Sequence, residues 1–390
     1  MSGILNGIRV IDLARYIAGP YCGQLLADLG AEVIKVEKPG TGEVTRTLGP
    51  YSPEGVAMGY CCYNRNKKSI TVDTRKEEGR QILRELIAKS DVLLENFRTG
   101  TMEMMGLGWD EVQKINPRII MVSVSGFGST GPFKDRLAFD GVISALSGVT
   151  RIGKDHPERS QGAIHDTMAA MYATIATLSA LYERNTTGKG QFLDVAMIAS
   201  STLLRNDVIA NAAVNAGSHA EGAGDDETPY GFLKAKDGWF YFHAGLGDMY
   251  SRLLTIIDDP YLHEERFKTS KGRAPHYDEM MAHIQAFAND YTAKELEDIF
   301  TKAGVTAAVL STPKDLLHNE HLNQAGWMMQ LPMHGREEPV PMVGLPWKSS
   351  EHTWEYKAAP ALGENNDEIF HDVLGYSDEH LAELHGKGIV

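Results

Sequence analysis

The stretch Arg118-Ile119-Ile120-Met121-Val122-Ser123-Val124-Ser125 carries the strongest strand signal in the chain, and reading it as a strand decides the fold. Toward the N-terminus, shorter strand-like runs recur at residues 8–13, 31–37, 69–73 and 91–97. Helical segments separate them: one enters at Gly19-Pro20 and ends at Gly30, and residues 76–89 form an amphipathic helix. Strands alternating with helices predict right-handed crossovers and a doubly wound parallel α/β sheet, a Rossmann-like large domain. Ligands of such sheets bind among the loops that follow the carboxyl ends of the strands.

Toward the C-terminus, residues 168–184 are almost all apolar or small, without Pro or Gly, which predicts a helix buried on most sides. Residues 191–197 add a strand. Residues 215–228 are small, polar and aperiodic, whereas 232–235 and 239–242 flank Lys236-Asp237-Gly238 as a hairpin. Residues 277–303 read as helical, with Thr292 and Glu295 spaced as a capping box and Gly304 as the stop, and 305–310 as a buried strand. The expected division is a large domain over 1–200 completed by 330–390, a linker over 201–224, and a small α+β domain over 225–325.

Composition narrows the function. With 390 residues, 43% hydrophobic and 23% charged, the chain has the make-up of a folded globular protein large enough for two domains. No apolar run reaches the length of a membrane span, and Met1-Ser2-Gly3-Ile4 does not begin a signal peptide, so a cytoplasmic location and no membrane partner are expected. A net charge of −14 argues against a general nucleic-acid binder, while a local basic patch can still hold a phosphorylated ligand. Cys22, Cys61 and Cys62 are too few and wrongly spaced for a metal quartet or a disulfide framework. Fourteen His occur without a His-Glu-x-x-His spacing, so no metal is predicted.

The loops after the predicted strands carry Lys38, Arg46, Arg75, Arg98 and Arg136 on one rim of an otherwise acidic protein. Such a rim suits a polyanionic cofactor, with Phe97 or Met105 packing against a base. Gly126-Phe127-Gly128-Ser129-Thr130-Gly131 matches a dinucleotide fingerprint, but Pro132-Phe133-Lys134-Asp135-Arg136 follows where that fingerprint needs a helix, so it reads as a glycine-rich loop lining a site. Asp166 stands at the entrance of the long apolar helix, after Gly162-Ala163-Ile164-His165. As an N-cap, its carboxylate would be stabilised by unpaired N–H groups and stay ionised at neutral pH. A fixed, ionised carboxylate at that position also suits a carboxylate nucleophile.

Several segments, in this order, resemble the family III CoA-transferases. They are Gly7-Ile8-Arg9-Val10-Ile11-Asp12-Leu13, Gly30-Ala31-Glu32-Val33-Ile34-Lys35-Val36-Glu37-Lys38-Pro39-Gly40, Asn64-Arg65-Asn66-Lys67-Lys68-Ser69-Ile70, Glu95-Asn96-Phe97-Arg98, Ser125-Gly126-Phe127-Gly128 and Thr187-Gly188-Lys189-Gly190-Gln191. The tail Leu362-Gly363-Glu364 with Leu374-Gly375-Tyr376-Ser377 matches the family's closing motif. The resemblance implies an interlocked homodimer that moves CoA from an acyl-CoA to a free carboxylic acid, with Asp166 as the nucleophile that carries an aspartyl-CoA thioester. It implies CoA contacts at Lys38, at Val72, Asp73, Thr74 and Arg75, at Asn96, Phe97, Arg98 and Met105, and at Arg136, Leu137, Ala138 and Phe139. The first loop, with Ile17 and Ala18, and the glycines Gly222, Gly224, Gly245 and Gly247 are candidates to stabilise oxyanions or cover the site.

Two departures from the family pattern bear on specificity. Ile17 stands where formyl-CoA transferases carry Gln, and the family's run of four glycines is reduced to Glu221-Gly222-Ala223-Gly224, which argues against transfer between formate and oxalate. The α-methylacyl-CoA racemases share the fold and use a His-Asp pair, but the matching stretch here, Ala138-Phe139-Asp140, lacks the His. Racemisation or epimerisation, and non-catalytic CoA binding, stand as the alternatives. His165 reads as a local hydrogen-bonding residue.

Overall fold

The computed structural model describes residues 3–152, 157–158, 162–214 and 228–390. Strands β1 (Arg9–Asp12), β2 (Glu32–Glu37), β3 (Lys68–Thr71), β4 (Val92–Glu95) and β5 (Ile120–Ser125) alternate with helices α1 (Ala18–Asp28), α2 (Met58–Asn64), α3 (Glu77–Ala88), α4 (Thr101–Met104) and α5 (Trp109–Ile115). After α6 (Asp140–Leu146), the short strands β6 (Arg151–Ile152) and β7 (Pro157–Glu158) pair with each other, and α7 (Ile164–Thr187) leads into β8 (Gln191–Ala196). Six strands form one parallel sheet in the order β3-β2-β1-β4-β5-β8. The order reverses between β1 and β4, so the loops leaving those strands diverge and open a crevice.

Both faces of the sheet are covered, as a parallel sheet requires. Val10, Val33, Val92, Leu94, Ile120 and Val122 point to one core with α1 and α7. Their neighbours Ile11, Ile34, Leu93 and Met121 point to the other, with Ile82, Leu83 and Leu86 of α3 and Ile369, Phe370 and Leu384 of the tail. Strict alternation along each strand divides one apolar run into two cores. Gly188 ends α7 at φ +70°, and a Cβ on Gly190 would lie 1.8 Å from the Ile119 carbonyl oxygen, which explains the glycines between α7 and β8.

The tail closes the edge of β3. Asn365 donates its N–H to the Ser69 carbonyl (2.9 Å) and accepts from the Ser69 N–H (3.0 Å), and Asn366 accepts from the Thr71 N–H (2.9 Å). These bonds occupy groups that an open edge would offer to another chain. Further in, Lys67 is buried, and its ammonium donates to Asp12 Oδ2 (2.8 Å), Asn64 Oδ1 (2.8 Å) and the Pro20 carbonyl (2.7 Å).

Helix α7 departs from the expectation of burial on most sides. Its inward face is small (Ala169, Ala170, Ala173, Ala180), which lets it pack closely on α1, and its large apolar residues face outward: Met171, Ile175 at 57% exposure and Tyr182 at 80%. The linker expected over 201–224 is helical as far as it is described, through α8 (Met197–Thr202), a short turn at Leu203–Arg205 and α9 (Asn206–Val214). The sequence there carries no breaker until Gly217. No described helix is long and apolar enough to cross a membrane.

The chain divides into two compact units, Met1–Arg205 with Gln324–Val390, and Asn206–Asn323. The second holds an antiparallel sheet in which β10 (Trp239–His243) lies between β9 (Tyr230–Lys234) and β11 (Thr306–Val309), over a core of Phe240, Phe242, Phe300 and Ile284. The expected hairpin is present. The helix expected over 277–303 is two helices, Tyr277–Ala288 and Ala293–Lys302, because the Thr292–Glu295 capping box starts a new one. Strand β11 lies at the sheet's edge and alternates between exposed and half-buried residues, so it is not the buried strand its composition suggested.

Replacing Lys67 with Met leaves the Asp12 carboxylate buried beside one fewer cation. The expected loss is about 3–5 kcal/mol, read as a lower urea midpoint at pH 7. A loss within the scatter of surface substitutions would show that the pair does not hold this part of the fold.

Candidate active site

The crevice at the switch point is a cleft of about 980 Å³. It is lined by the loops after β1, β4 and β5, with the starts of α6 and α7 and Met197 of α8. The β1 loop is held from every side. Ala14 donates its N–H to Asp12 Oδ1 (2.9 Å) and accepts from Lys35 Nζ (2.8 Å). The Asn96 amide closes on both backbone groups of Arg15 (2.8 and 2.7 Å), and the Tyr16 N–H reaches Glu43 Oε2 (3.2 Å). Tyr16 adopts φ +64°, a left-handed conformation that a bulky residue takes only when its surroundings impose it. The turn delivers Ile17 and Ala18 to the cleft at the start of α1, and no described acceptor takes the N–H of either.

The glycine-rich loop after β5 is fixed by side chains. Ser125 Oγ accepts the Gly128 N–H (2.9 Å), and Asp194 Oδ2 accepts from both the N–H (2.7 Å) and the hydroxyl (2.6 Å) of Ser129. It continues through Lys134 to Phe139 along the cleft wall.

Of the residues predicted from sequence, Ile17, Ala18, Asn96, Phe97, Arg98, Arg136, Leu137, Ala138, Phe139 and Asp166 line this one cleft. Lys38, Val72, Asp73, Thr74, Arg75 and Met105 line a hollow of about 60 Å³ whose wall includes Phe97, so that ring borders both. Gly222 and Gly224 lie outside the described residues. Gly245 and Gly247 belong to the second unit, where the Gly245 carbonyl accepts from Arg273 (3.1 Å).

The basic rim needs revision. Arg46 makes a two-pronged pair with Glu37 (2.7 and 2.6 Å), and Arg75 does the same with Asp73 (2.8 Å twice), holding the Asp73 carboxyl at about 2. Among the described residues no carboxylate pairs with Lys38, Arg98 or Arg136, nor with Arg15 and Lys134, which sequence reasoning did not single out. Arg15 lies 5.0 Å from the Phe97 ring centre, and Arg136 lies over Phe133 at 5.3 Å, so aromatic faces rather than anions support both. Among the described residues no group of three His, Cys, Asp or Glu is placed to hold a metal.

Asp166 lines the cleft but is not the cap of its helix. The N-cap is Ala163, which offers no side-chain acceptor, and Asp166 is the third helical residue. The cap comes from another helix: Asp140 Oδ1 accepts the N–H groups of His165 (2.8 Å) and Asp166 (3.2 Å). The Asp166 carboxyl accepts no hydrogen bond from the described residues. Burial, with the Asp140 charge added, pushes it up to about 7, so it is only partly ionised at neutral pH, contrary to the expectation for a capping carboxylate. His165 is fully buried and neither ring nitrogen has a partner among the described residues, so it is not the local hydrogen-bonding residue expected. Sequence reasoning missed Asp140, Tyr16, Val124 and Met197 as parts of the site.

A parallel sheet whose switch point opens on a cleft lined by the Asp166 carboxyl group, which no described residue partners, and by Arg98, Lys134 and Arg136 is suited to group transfer on a polyanionic substrate. The chain belongs to CoA-transferase family III, whose sequence pattern it matches over residues 5–366. It is 35% identical to the succinyl-CoA–D-citramalate CoA-transferase of Chloroflexus aurantiacus, over 99% of this chain and 98% of that protein. It is 33% identical to human succinyl-CoA:glutarate CoA-transferase, over 99% and 90%. Among solved structures, a CaiB/BaiF family protein from Brucella suis superimposes with a TM-score of 0.84 at 31% identity, over 95% of this chain and all of that one. The protein is accordingly an enzyme of the CoA-transferase class, and CoA thioesters are its substrates.

Removing the Asp166 charge has a signed effect on stability. The unfolded chain releases this proton near the ordinary value of 3.8, whereas the folded chain keeps it to about 7, so between those values stability falls as pH rises. Asp166→Asn escapes that loss. Its melting temperature is expected to rise relative to the parent from pH 4 to pH 7 and the difference to level off above. A difference that does not change with pH would show an ordinarily acidic carboxyl.

Proposed function

We propose that the enzyme transfers CoA from an acyl-CoA to a free carboxylic acid through a thioester on Asp166. The observation that carries this reading is the Asp166 carboxyl group, which lines the cleft with no hydrogen-bond donor committed to it. Its carboxylate attacks the donor's thioester carbonyl and expels CoA thiolate, leaving a mixed anhydride. The thiolate then attacks the aspartyl carbonyl, releases the donor acid and forms aspartyl-CoA thioester. The acceptor carboxylate attacks that thioester, again expelling thiolate and giving a second anhydride. Thiolate attack on its acceptor carbonyl yields the new acyl-CoA and restores the Asp166 carboxylate.

Each addition places negative charge on a carbonyl oxygen. The unaccepted N–H groups of Ile17 and Ala18, at the positive end of α1, are the donors on the cleft wall that suit it. The CoA phosphates fall to Lys38, Arg15, Arg98, Lys134 and Arg136. The base falls to the hollow walled by Phe97 and Met105, with Val72, Asp73, Thr74 and Arg75 around it. Gly245 and Gly247 are retained as candidates for closing the site. The outward apolar face of α7, with Leu203 and Leu204 beyond it, supports a homodimer in which the partner covers that face.

Incubation with acyl-CoA and hydroxylamine is expected to convert Asp166 to a hydroxamate, found by peptide mass mapping. Asp166→Ala should lower transfer by roughly 10⁴-fold or more, and undiminished exchange in that variant would sink the mechanism. Because both named relatives use succinyl-CoA, the donor screen starts there, against a panel of mono- and dicarboxylic acids. Arg98→Glu should raise the KM for acyl-CoA roughly tenfold or more with little change in kcat. An unchanged KM would remove Arg98 from the CoA site.

A further inference from the structure

The start of α7 poses a problem that its own sequence does not solve. A helix leaves its first N–H groups without internal partners, and the residue before this one is Ala163, preceded by Gly162 at φ +73°. The natural local acceptor is the carboxylate of Asp166, in the first turn. In the structure it does not take that role. Asp140, the first residue of α6, reaches across 25 and 26 positions of sequence to accept the N–H groups of His165 (2.8 Å) and Asp166 (3.2 Å) through one oxygen.

We propose that Asp140 is a positioning residue: its carboxylate caps the helix that carries Asp166, and by occupying those N–H groups leaves the Asp166 carboxylate unpartnered and turned to the cleft. The inference rests on the nucleophilic role proposed for Asp166. Its second consequence is electrostatic. A neutral acceptor would satisfy the same N–H groups, but Asp140 satisfies them with a negative charge beside the nucleophile, adding to the effect of burial. Among the described residues, the other titratable and charged groups around it are the Tyr63 phenol on α2, itself pushed up by burial and then by surrounding groups that include Asp166 and Asp140, and Arg98, Lys134, Asp135 and Arg136 on the cleft wall; His165 lies on α7 itself.

The arrangement also links binding to chemistry. Asp140 directly follows Phe139, and the segment from Lys134 to Asp140 lines the cleft. The residue that caps α7 is therefore continuous with the cleft wall along which a thioester would lie. Positioning of this kind shows in kcat more than in KM, because displacement of a reacting group by about 1 Å can lower the rate roughly 10²-fold.

Two variants separate the roles. Asp140→Asn keeps an oxygen that accepts both N–H groups and removes the charge. It is expected to fold with an unchanged far-UV circular dichroism spectrum and to move the acid limb of the kcat–pH profile down by about half a unit or more. Asp140→Ala removes the cap, and kcat should fall roughly ten- to a hundredfold across the pH range while KM for acyl-CoA stays within a factor of about two. A readout independent of turnover comes from melting temperatures. In an Asp140→Asn background, the pH window over which Asp166→Asn gains stability should shift downward by the same amount as the kinetic limb.

An acid limb unmoved in Asp140→Asn, or a parental kcat in Asp140→Ala, overturns the proposal. Asp166→Ala, run in parallel, tells the two failures apart. If Asp166→Ala is inactive while both Asp140 variants behave like the parent, only the positioning role is lost. If Asp166→Ala still transfers CoA, the nucleophile assignment fails, and this inference with it.

Discussion

The carboxylate of Asp12, buried at the end of the first strand between the ammonium groups of Lys67 and Lys35, fixes where the chain turns away from the sheet. Burial alone would push this carboxyl up; the two lysines outweigh it and hold the group ionised. The charge also sets geometry. Asp12 Oδ1 takes the Ala14 N–H, Lys35 takes the Ala14 carbonyl, and Lys67 ties the pair to the Pro20 carbonyl inside α1. The first loop therefore has both backbone groups of Ala14 committed before it reaches Tyr16. Asn96 and Glu43 complete the clamp from β4 and from beyond β2. A loop so constrained can keep Tyr16 at positive φ and present the Ile17 and Ala18 N–H groups without local acceptors.

Much of this was legible in the residues. Apolar runs broken by helices gave the strands, whereas the division of neighbours such as Val10 and Ile11, or Val33 and Ile34, between two cores is what the structure adds. The loops after the strands gave the rim, because a doubly wound sheet gathers them at one end. What the sequence hid was pairing at a distance. Arg46 and Arg98 look alike in sequence, yet only Arg46 meets a buried Glu37, and only the second is left for a ligand. The Asp140–Asp166 relation was hidden for the same reason, since the acceptor lies 26 residues from the amide it caps. Helix α7 misled through averages. Its residues from 168 to 184 are almost all apolar or small, but its alanines pack inward and its Ile175 and Tyr182 face out.

Two carboxyl groups in the large unit are pushed up to about 7, and burial is the first cause for both. Glu95, at the end of β4, accepts the Phe97 N–H (2.7 Å) and borders a hollow of only about 40 Å³, so its oxygen is spent on shaping the loop that carries Phe97 and Arg98. Asp166 has no such donor and borders the large cleft. A raised carboxyl is thus not by itself the mark of a nucleophile. What distinguishes the two is which groups face the oxygen and whether a substrate can reach it.

On the proposed pathway the basicity of Asp166 bears on the hardest step. An ordinary carboxylate that attacks a thioester must expel a thiolate, and a thiol's pKa lies near 8.5 against about 3.9 for a free aspartate, so the weaker base displaces the stronger and the tetrahedral adduct collapses backward. Raising the carboxyl to about 7 brings the two leaving groups close together. The same change makes the acyl-aspartate bonds formed later less labile to stray water than anhydrides of an acidic carboxylate. It also holds part of the enzyme protonated at neutral pH, where it cannot attack. The raised value therefore trades ionised fraction for reactivity. Burial supplies most of that shift, and Asp140 adds to it while satisfying the amides that would otherwise undo it.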